Sequence, residues 1–442
     1  MRILFISAFY PPFEIGGWEQ LAQEVNSGLS ARGHACRVLC SSYDNGRIEV
    51  PADGVDRVLS LESDQNYYDP MEWLLRRKAR RDANLSHTRE VIERFRPDVV
   101  FVQVMWNLSR AVPWMAERLL PGRVVYYVAD DWPYSPDVHT RFWLQPAQSQ
   151  LRRLPKRLLG SAASRIVRRE LALFPLEFQH VLCVSNTVRE NLARFAGIDP
   201  ERMRVVYNGI DVRRFAAQGC WRHNAQQRDQ LAMLYAGNLV THKGVRTAIE
   251  AMVLLAGRPG STWVTLDIVG SGHPDYEADL RKLVIDEQIQ DRVRFRGRVA
   301  RDRMPELMAG FDVLVFPSTG PEALPRIVQE AMASGLIVVG TTIGGTAEIL
   351  ANGETGLTFE PGDAAGLARQ IGLLIDNPTL RSTLRTTAQA RVAREFDIRR
   401  MIDEVEQYLA TVAATTPPME GLSRNTAILG DSTSFVVGGS SK

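Results

Sequence analysis

An α/β fold of two parallel-sheet domains follows from three features of the chain. Its 442 residues exceed one ordinary hydrophobic core and point to two domains of about 200 residues each. Residues 1–40 read strand, glycine loop, helix, strand, and two parallel strands joined by a helix require a sheet covered by helices. From Leu231 onward the same alternation starts afresh.

The elements follow in order. Ile3–Ser7 is an apolar first strand, too short for the apolar core of a cleaved leader. It leads into Gly16-Gly17, a helix from about Trp18 to Arg32 and a strand Ala35–Cys40. The two glycines either end the strand or let backbone approach a ligand at the carboxyl edge of the sheet, where open α/β sheets bind. Val99–Val104 and Val124–Ala129 are buried strands, the second running into Asp130-Asp131-Trp132-Pro133. Asp130 at that strand end suits either a site carboxylate or a helix N-cap. Val181–Ser185 is the next strand, with Asn186 and Thr187 opening a helix.

After a polar stretch, 216–230, without apolar period, Leu231–Ala236 is a strand. The loop Gly237-Asn238-Leu239-Val240-Thr241-His242-Lys243-Gly244 precedes a helix from Val245 and has the form of a phosphate loop. A lysine there offers a point charge to a diphosphate. Leu266–Val269 ends in Gly270-Ser271-Gly272, a tight loop and a weak nucleotide signal by itself. Val313–Phe316 runs into Pro317-Ser318-Thr319-Gly320-Pro321-Glu322-Ala323-Leu324, and Pro325 and Arg326 open a helix stopped by Gly335. The unpaired N–H groups of that helix point out of the sheet edge, a site for phosphate. Glu322 lies just before the helix and Glu330 inside it.

The string E-x7-E, then A-M-A-x-G, an apolar strand Ile337–Val339, Gly344-Gly345 and Glu348 resembles the donor site of retaining GT-B glycosyltransferases, the glycogen-synthase-like family 4. Val205-Val206-Tyr207-Asn208-Gly209-Ile210-Asp211 resembles the segment that closes the first domain there. The resemblance implies two Rossmann-like domains facing a cleft, 1–215 on the acceptor side and a nucleotide-sugar domain 231–395, with a helix 396–412 returning to the first domain; composition makes 216–230 the linker and 413–442, rich in Thr, Ser, Pro and Gly, a disordered tail. It implies transfer of a sugar from a UDP-, GDP- or ADP-sugar to a glycan, lipid-linked or other hydroxyl acceptor. Glu322, Lys243 and Asp130 would serve the chemistry. Gly16, Gly17, Asn238, Lys243, Gly270, Gly272, Leu324, Pro325, Arg326 and Glu330 would hold the donor, with Glu330 on the ribose. Two positions depart from the family pattern: Ala129 stands where relatives carry histidine, and Asn238 where many carry arginine. They keep open a catalytically silent binding subunit; a sugar-nucleotide epimerase of the same architecture is the other alternative, against which the E-x7-E string argues.

Composition narrows the classes. A hydrophobic share of 45%, 24% charged residues and a net charge of +2 describe a globular protein without the global field of a nucleic-acid binder. Cys36, Cys40, Cys183 and Cys220 form no C-x-x-C pair, and no D-x-D motif follows a strand, so neither a metal nor another cofactor is expected. No run approaches the ~20 apolar residues of a membrane span, which implies a cytoplasmic protein. Arg152, Arg153, Lys156, Arg157, Arg165, Arg168 and Arg169 crowd 151–169 without an acid. Leu151, Leu154 and Leu158 give that segment an apolar face, making it a candidate for peripheral contact with an anionic membrane surface. Pro155 is expected to limit its helix.

Overall fold

The computed structural model describes residues 1–13, 16–43, 53–63, 68–135, 138–145, 150–219, 231–258 and 264–415. Seven strands make the first sheet: β1 (Arg2–Ser7), β2 (Ala35–Ser41), β3 (Val55–Leu59), β4 (Val99–Val102), β5 (Val124–Val128), β6 (His180–Cys183) and β7 (Met203–Val205). Six make the second: β8 (Leu231–Ala236), β9 (Val264–Val269), β10 (Val293–Gly297), β11 (Val313–Phe316), β12 (Ile337–Gly340) and β13 (Gly356–Thr358). The orders are β3-β2-β1-β4-β5-β6-β7 and β10-β9-β8-β11-β12-β13, with every named pairing parallel. Each chain path starts mid-sheet, runs to one edge and returns to fill the other, so both sheets reverse direction once. That reversal leaves a crevice at the carboxyl ends, between β1 and β4 in one sheet and between β8 and β11 in the other.

The strands are continuous apolar runs because both faces of each sheet are covered. On β11 the alternation is explicit. Val313 and Val315 face one buried cluster with the helix Val245–Ala256, while Leu314 and Phe316 face another that extends through Met401 and Val405 into the core of the first domain.

The last helix, Ile398–Thr415, packs on the first helix, Gly17–Ala31, although it follows the second sheet in the chain. Arg32 pairs with Asp403 at 2.6 Å and also with Glu406, and His34 Nε2 lies 2.7 Å from Glu406. A backbone bridge joins Ile210 to Asp397 at the crossing.

Three details differ from the sequence expectation. The edge strand β3 and the long helix Pro70–Phe95 were not anticipated, because neither shows a clean apolar period. The helix Gln150–Leu173 passes through Pro155, which falls in its opening turns, so the backbone bond it removes lies near the helix start and the rest continues beyond it. Residues 216–219 complete the helix Val212–Gly219, and 413–415 complete Ile398–Thr415; residues 220–230 and 416–442 lie outside the described set.

Candidate active site

The two crevices open into one cleft of about 1240 Å³. Gly16, Gly17, Trp106 and Asp130 line it from the first domain; Asn238, Lys243, Gly270, Glu322, Leu324, Pro325 and Arg326 line it from the second.

Local backbone chemistry brings Lys243 to Glu322. The loops carrying them follow β8 and β11, the neighbours that flank the reversal. His242 O accepts from Thr319 N at 2.8 Å and Gly320 N at 3.1 Å, which ties the two loops together. Gly244 has φ +71°, and a Cβ there would stand 1.8 Å from Pro317 O, so only glycine allows this approach. In consequence Lys243 Nζ donates to Glu322 Oε1 at 2.6 Å, and Ser318 Oγ donates to the same oxygen at 2.6 Å. From the other side, Gly345 N donates to Glu322 O at 2.7 Å, and a Cβ on Gly345 would stand 1.8 Å from Ala323 O.

The helix Arg326–Ala333 starts at the cleft, with Pro325 as its N-cap, and Gly335 follows it in the left-handed region (φ +81°). Pro325 has no N–H, so Leu324 and Arg326 supply the amides at this turn. Arg326 reaches across the cleft: Nη1 donates to Gly17 O at 2.9 Å and Nη2 to Glu24 at 2.6 Å. It thus ties the two domains together.

Glu330 is fully buried and lies behind the cleft wall. The Arg301 guanidinium forks onto it, with Nη1 donating to Oε2 at 2.7 Å and Nη2 pairing with Oε1. Arg301 itself lines the cleft, so Glu330 is reached through it. Gly272 also departs from the expected lining: it pairs with Leu239 in a backbone bridge, and its amide donates to Glu277 at 2.6 Å. Of the two glycines in that loop, Gly270 alone borders the cleft.

On the opposite wall Asp130 is pushed up to about 7, first by burial and then by the neighbouring Asp131 charge, against backbone hydrogen bonds from Trp132 and its own amide. It caps no helix; a turn follows, with Tyr134 N bonded to Asp131 O. Ala129 also lines this wall.

Glu348 has a role that its motif position did not disclose. Its carboxylate accepts from Asn186 N and Thr187 N, both at 2.9 Å, and from both side chains, at the start of the first-domain helix Asn186–Asn191. Burial opposes its charge, but these donors outweigh it and hold the carboxyl below its ordinary value. Arg301 and Tyr235, whose hydroxyl donates to Asn238 O at 2.9 Å, are further cleft residues that sequence reasoning missed. Neither belongs to a motif.

Among the described residues no cluster of three or more His, Cys, Asp or Glu is arranged to hold a metal. No described helix is long and apolar enough to cross a membrane.

Two Rossmann-like parallel-sheet domains about a shared cleft define the GT-B class of transferases. Residues 15–214 match the family described as Glycosyltransferase Family 4, and residues 222–391 match Glycosyl transferases group 1. The chain belongs to the group 1 glycosyltransferases. A glycogen synthase of Mycobacterium tuberculosis is 28% identical over 451 residues, covering 96% of this chain and 98% of that one. The lipopolysaccharide core biosynthesis glycosyltransferase LpsE of Rhizobium meliloti is 32% identical over 183 residues, 41% of this chain and 51% of that one. Among solved structures, a glycosyltransferase of Rickettsia africae superposes with a TM-score of 0.68 at 18% identity, over 94% of this chain and 99% of its own. Anabaena HepE in complex with UDP-glucose superposes with a TM-score of 0.63 at 22% identity, over 93% of this chain and 100% of its own.

Proposed function

We propose that this glycosyltransferase moves a sugar, with retention at the anomeric carbon, from a nucleoside diphosphate sugar to a hydroxyl of a glycan or lipid-linked acceptor in cell-surface polysaccharide or glycolipid synthesis. The donor nucleotide is UDP, GDP or ADP. The observation that carries the reading is the Lys243–Glu322 contact at 2.6 Å, on the two loops flanking the sheet reversal and beside a helix start. HepE, solved with UDP and with UDP-glucose, lends support to a nucleotide-sugar donor.

Cleavage of the sugar C1–O bond develops positive charge on the ring and negative charge on the departing diphosphate. Lys243 has three donors, one of them engaged by Glu322, and with the amides of Leu324 and Arg326 it stabilises the anion. Glu322 holds sugar hydroxyls. Glu330 takes the ribose hydroxyls once Arg301 swings off it. Asp130, ionised, orients the acceptor hydroxyl, which attacks from the face the diphosphate leaves and gives its proton to the departing diphosphate oxygen. Anion stabilisation in this scheme uses no metal, so EDTA leaves the rate unchanged.

Exposed Arg165, Arg168 and Arg169, with exposed Leu159 and Leu173, favour peripheral contact of the helix Gln150–Leu173 with an anionic bilayer on the cytoplasmic side. Salt-sensitive co-sedimentation with anionic vesicles tests that contact. Product analysis tests the chemistry: transfer yields free nucleoside diphosphate and an extended acceptor. A new sugar nucleotide would mark an epimerase instead, and no product with any UDP-, GDP- or ADP-sugar would mark a binding subunit.

A further inference from the structure

The first-domain wall of the cleft carries an aromatic surface that the sugar-transfer chemistry leaves unused. Among the described residues Trp106 is the one tryptophan left exposed, at 36%, and it lines the cleft. The backbone holds it there. Leu108 N donates to Met105 O at 3.1 Å, closing a turn with Trp106 and Asn107 at its central positions. Asn107 has φ +57°, the left-handed region, which asparagine tolerates better than most residues but which still costs free energy. Bonds from a separate loop offset that cost: Glu62 N donates to Asn107 O at 2.9 Å, Ser63 Oγ donates to the Asn107 side-chain oxygen at 3.1 Å, and Asn107 Nδ2 donates to Ser63 O. Buried Phe9 packs against the indole with ring centroids 6.0 Å apart, which fixes the direction of the ring.

β4 and β5 are neighbours in the sheet, so the Trp106 turn after β4 and Asp130 after β5 leave the same sheet edge side by side. Tyr134, on the turn that follows Asp130, also lines the cleft, its ring 5.4 Å from that of exposed Phe195. Phe195 lies in Leu192–Ala196, a stretch of π-helix, a geometry frequent at functional sites. This wall therefore combines open aromatic rings with the carboxylates of Asp130 and Asp131. A ligand complementary to that combination has a flat apolar face and a rim of hydroxyls. A pyranose ring has both: its C–H groups make one face apolar, and the hydroxyls around its edge donate to carboxylates. An alkyl chain would cover the carboxylates without giving them a donor, which is costly.

We propose that Trp106 is the stacking platform for a sugar ring of the acceptor and a determinant of acceptor specificity. The proposal rests on the transferase reading and narrows its acceptor from any hydroxyl compound to a saccharide, free or lipid-linked. The indole fixes the plane of the ring, and that plane decides which hydroxyl reaches Asp130.

The test uses the full chain without donor. Methyl glycosides of glucose, galactose, mannose and N-acetylglucosamine are offered one at a time, and saturation-transfer NMR from the aromatic protons of the protein reads the contact. At least one glycoside should receive saturation, strongest at the C–H protons of one ring face. Trp106→Ala should weaken that binding by about tenfold or more, the worth of one aromatic contact, with nucleotide affinity unchanged. Trp106→Phe should retain most of it, and a parental melting curve in both variants guards against loss of fold. Tighter binding of the hexyl than of the methyl glycoside of the same sugar supports a lipid-linked saccharide; equal binding supports a free glycan. Absence of transfer to all four glycosides, equal binding in Trp106→Ala, Trp106→Phe as weak as Trp106→Ala, or Trp106-dependent contact with hexanol alone overturns the proposal. No donor is present, so such a failure is distinct from failure of the transferase reading, which product analysis detects.

Discussion

Asp130→Asn isolates the electrostatics of the acceptor wall. In the unfolded chain this carboxyl titrates near 3.8, and in the fold near about 7, because burial and Asp131 both disfavour its charge. Between those values the folded state binds one more proton than the unfolded state. Stability therefore falls as pH rises from about 4 to about 7, and the contribution present below pH 4 is gone above 7. The gap is about 3.2 pH units, each worth about 1.36 kcal/mol, which gives a ceiling of about 4 kcal/mol. One side of the carboxyl borders the open cleft, so water relieves part of this, and about 2 kcal/mol is expected at pH 8. Asparagine keeps the shape and carries no titrating proton. Its melting temperature should match the parent near pH 4 and exceed it by several degrees at pH 8. Turnover of the parent should rise with a midpoint near 7 as the carboxylate forms, and the variant should be slow and flat across the range. A melting difference that is the same at pH 4 and pH 8 would refute the argument, since it would mean that Asp130 titrates alike in the folded and unfolded chain.

Three further substitutions probe the other wall. Lys243→Ala removes the ammonium beside Glu322 and should lower kcat by about 100-fold or more with a smaller change in donor affinity; steady-state kinetics and calorimetry separate the two. Glu330→Ala deletes the buried partner of Arg301 and should weaken nucleotide binding by about 10–100-fold, the worth of a charged hydrogen-bonding group; unchanged affinity by titration calorimetry removes it from the ribose site. Gly345→Ala places a Cβ against Ala323 O and should displace the Glu322 loop, cutting turnover at least tenfold while the far-ultraviolet circular dichroism stays that of the parent.

Much of this fold is legible in the sequence. Buried parallel strands are nearly pure runs of Val, Ile and Leu, so β1, β4, β5, β8, β11 and β12 could be read directly, and Pro325 and Gly335 bracket a helix for reasons internal to the backbone. The edge strand β3 and the helix Pro70–Phe95 could not, because partly exposed elements mix polar and apolar positions.

Residue types and order along the chain determined the two-sheet architecture and the presence of Lys243, Glu322 and Glu330 on loops and a helix at the strand ends. Tertiary structure alone decided what those groups touch. Only packing reveals that Lys243 already pairs with Glu322, that Arg301 stands between Glu330 and the cleft, and that Gly272 points its backbone at Leu239 instead of the cleft. It also sets Arg326 and Glu348 across the domain boundary. The physical reason is range. Strand and helix signals arise between residues a few positions apart, whereas ion pairs and desolvation depend on through-space distances between residues far apart in the chain, which the sequence does not contain until the sheets have formed.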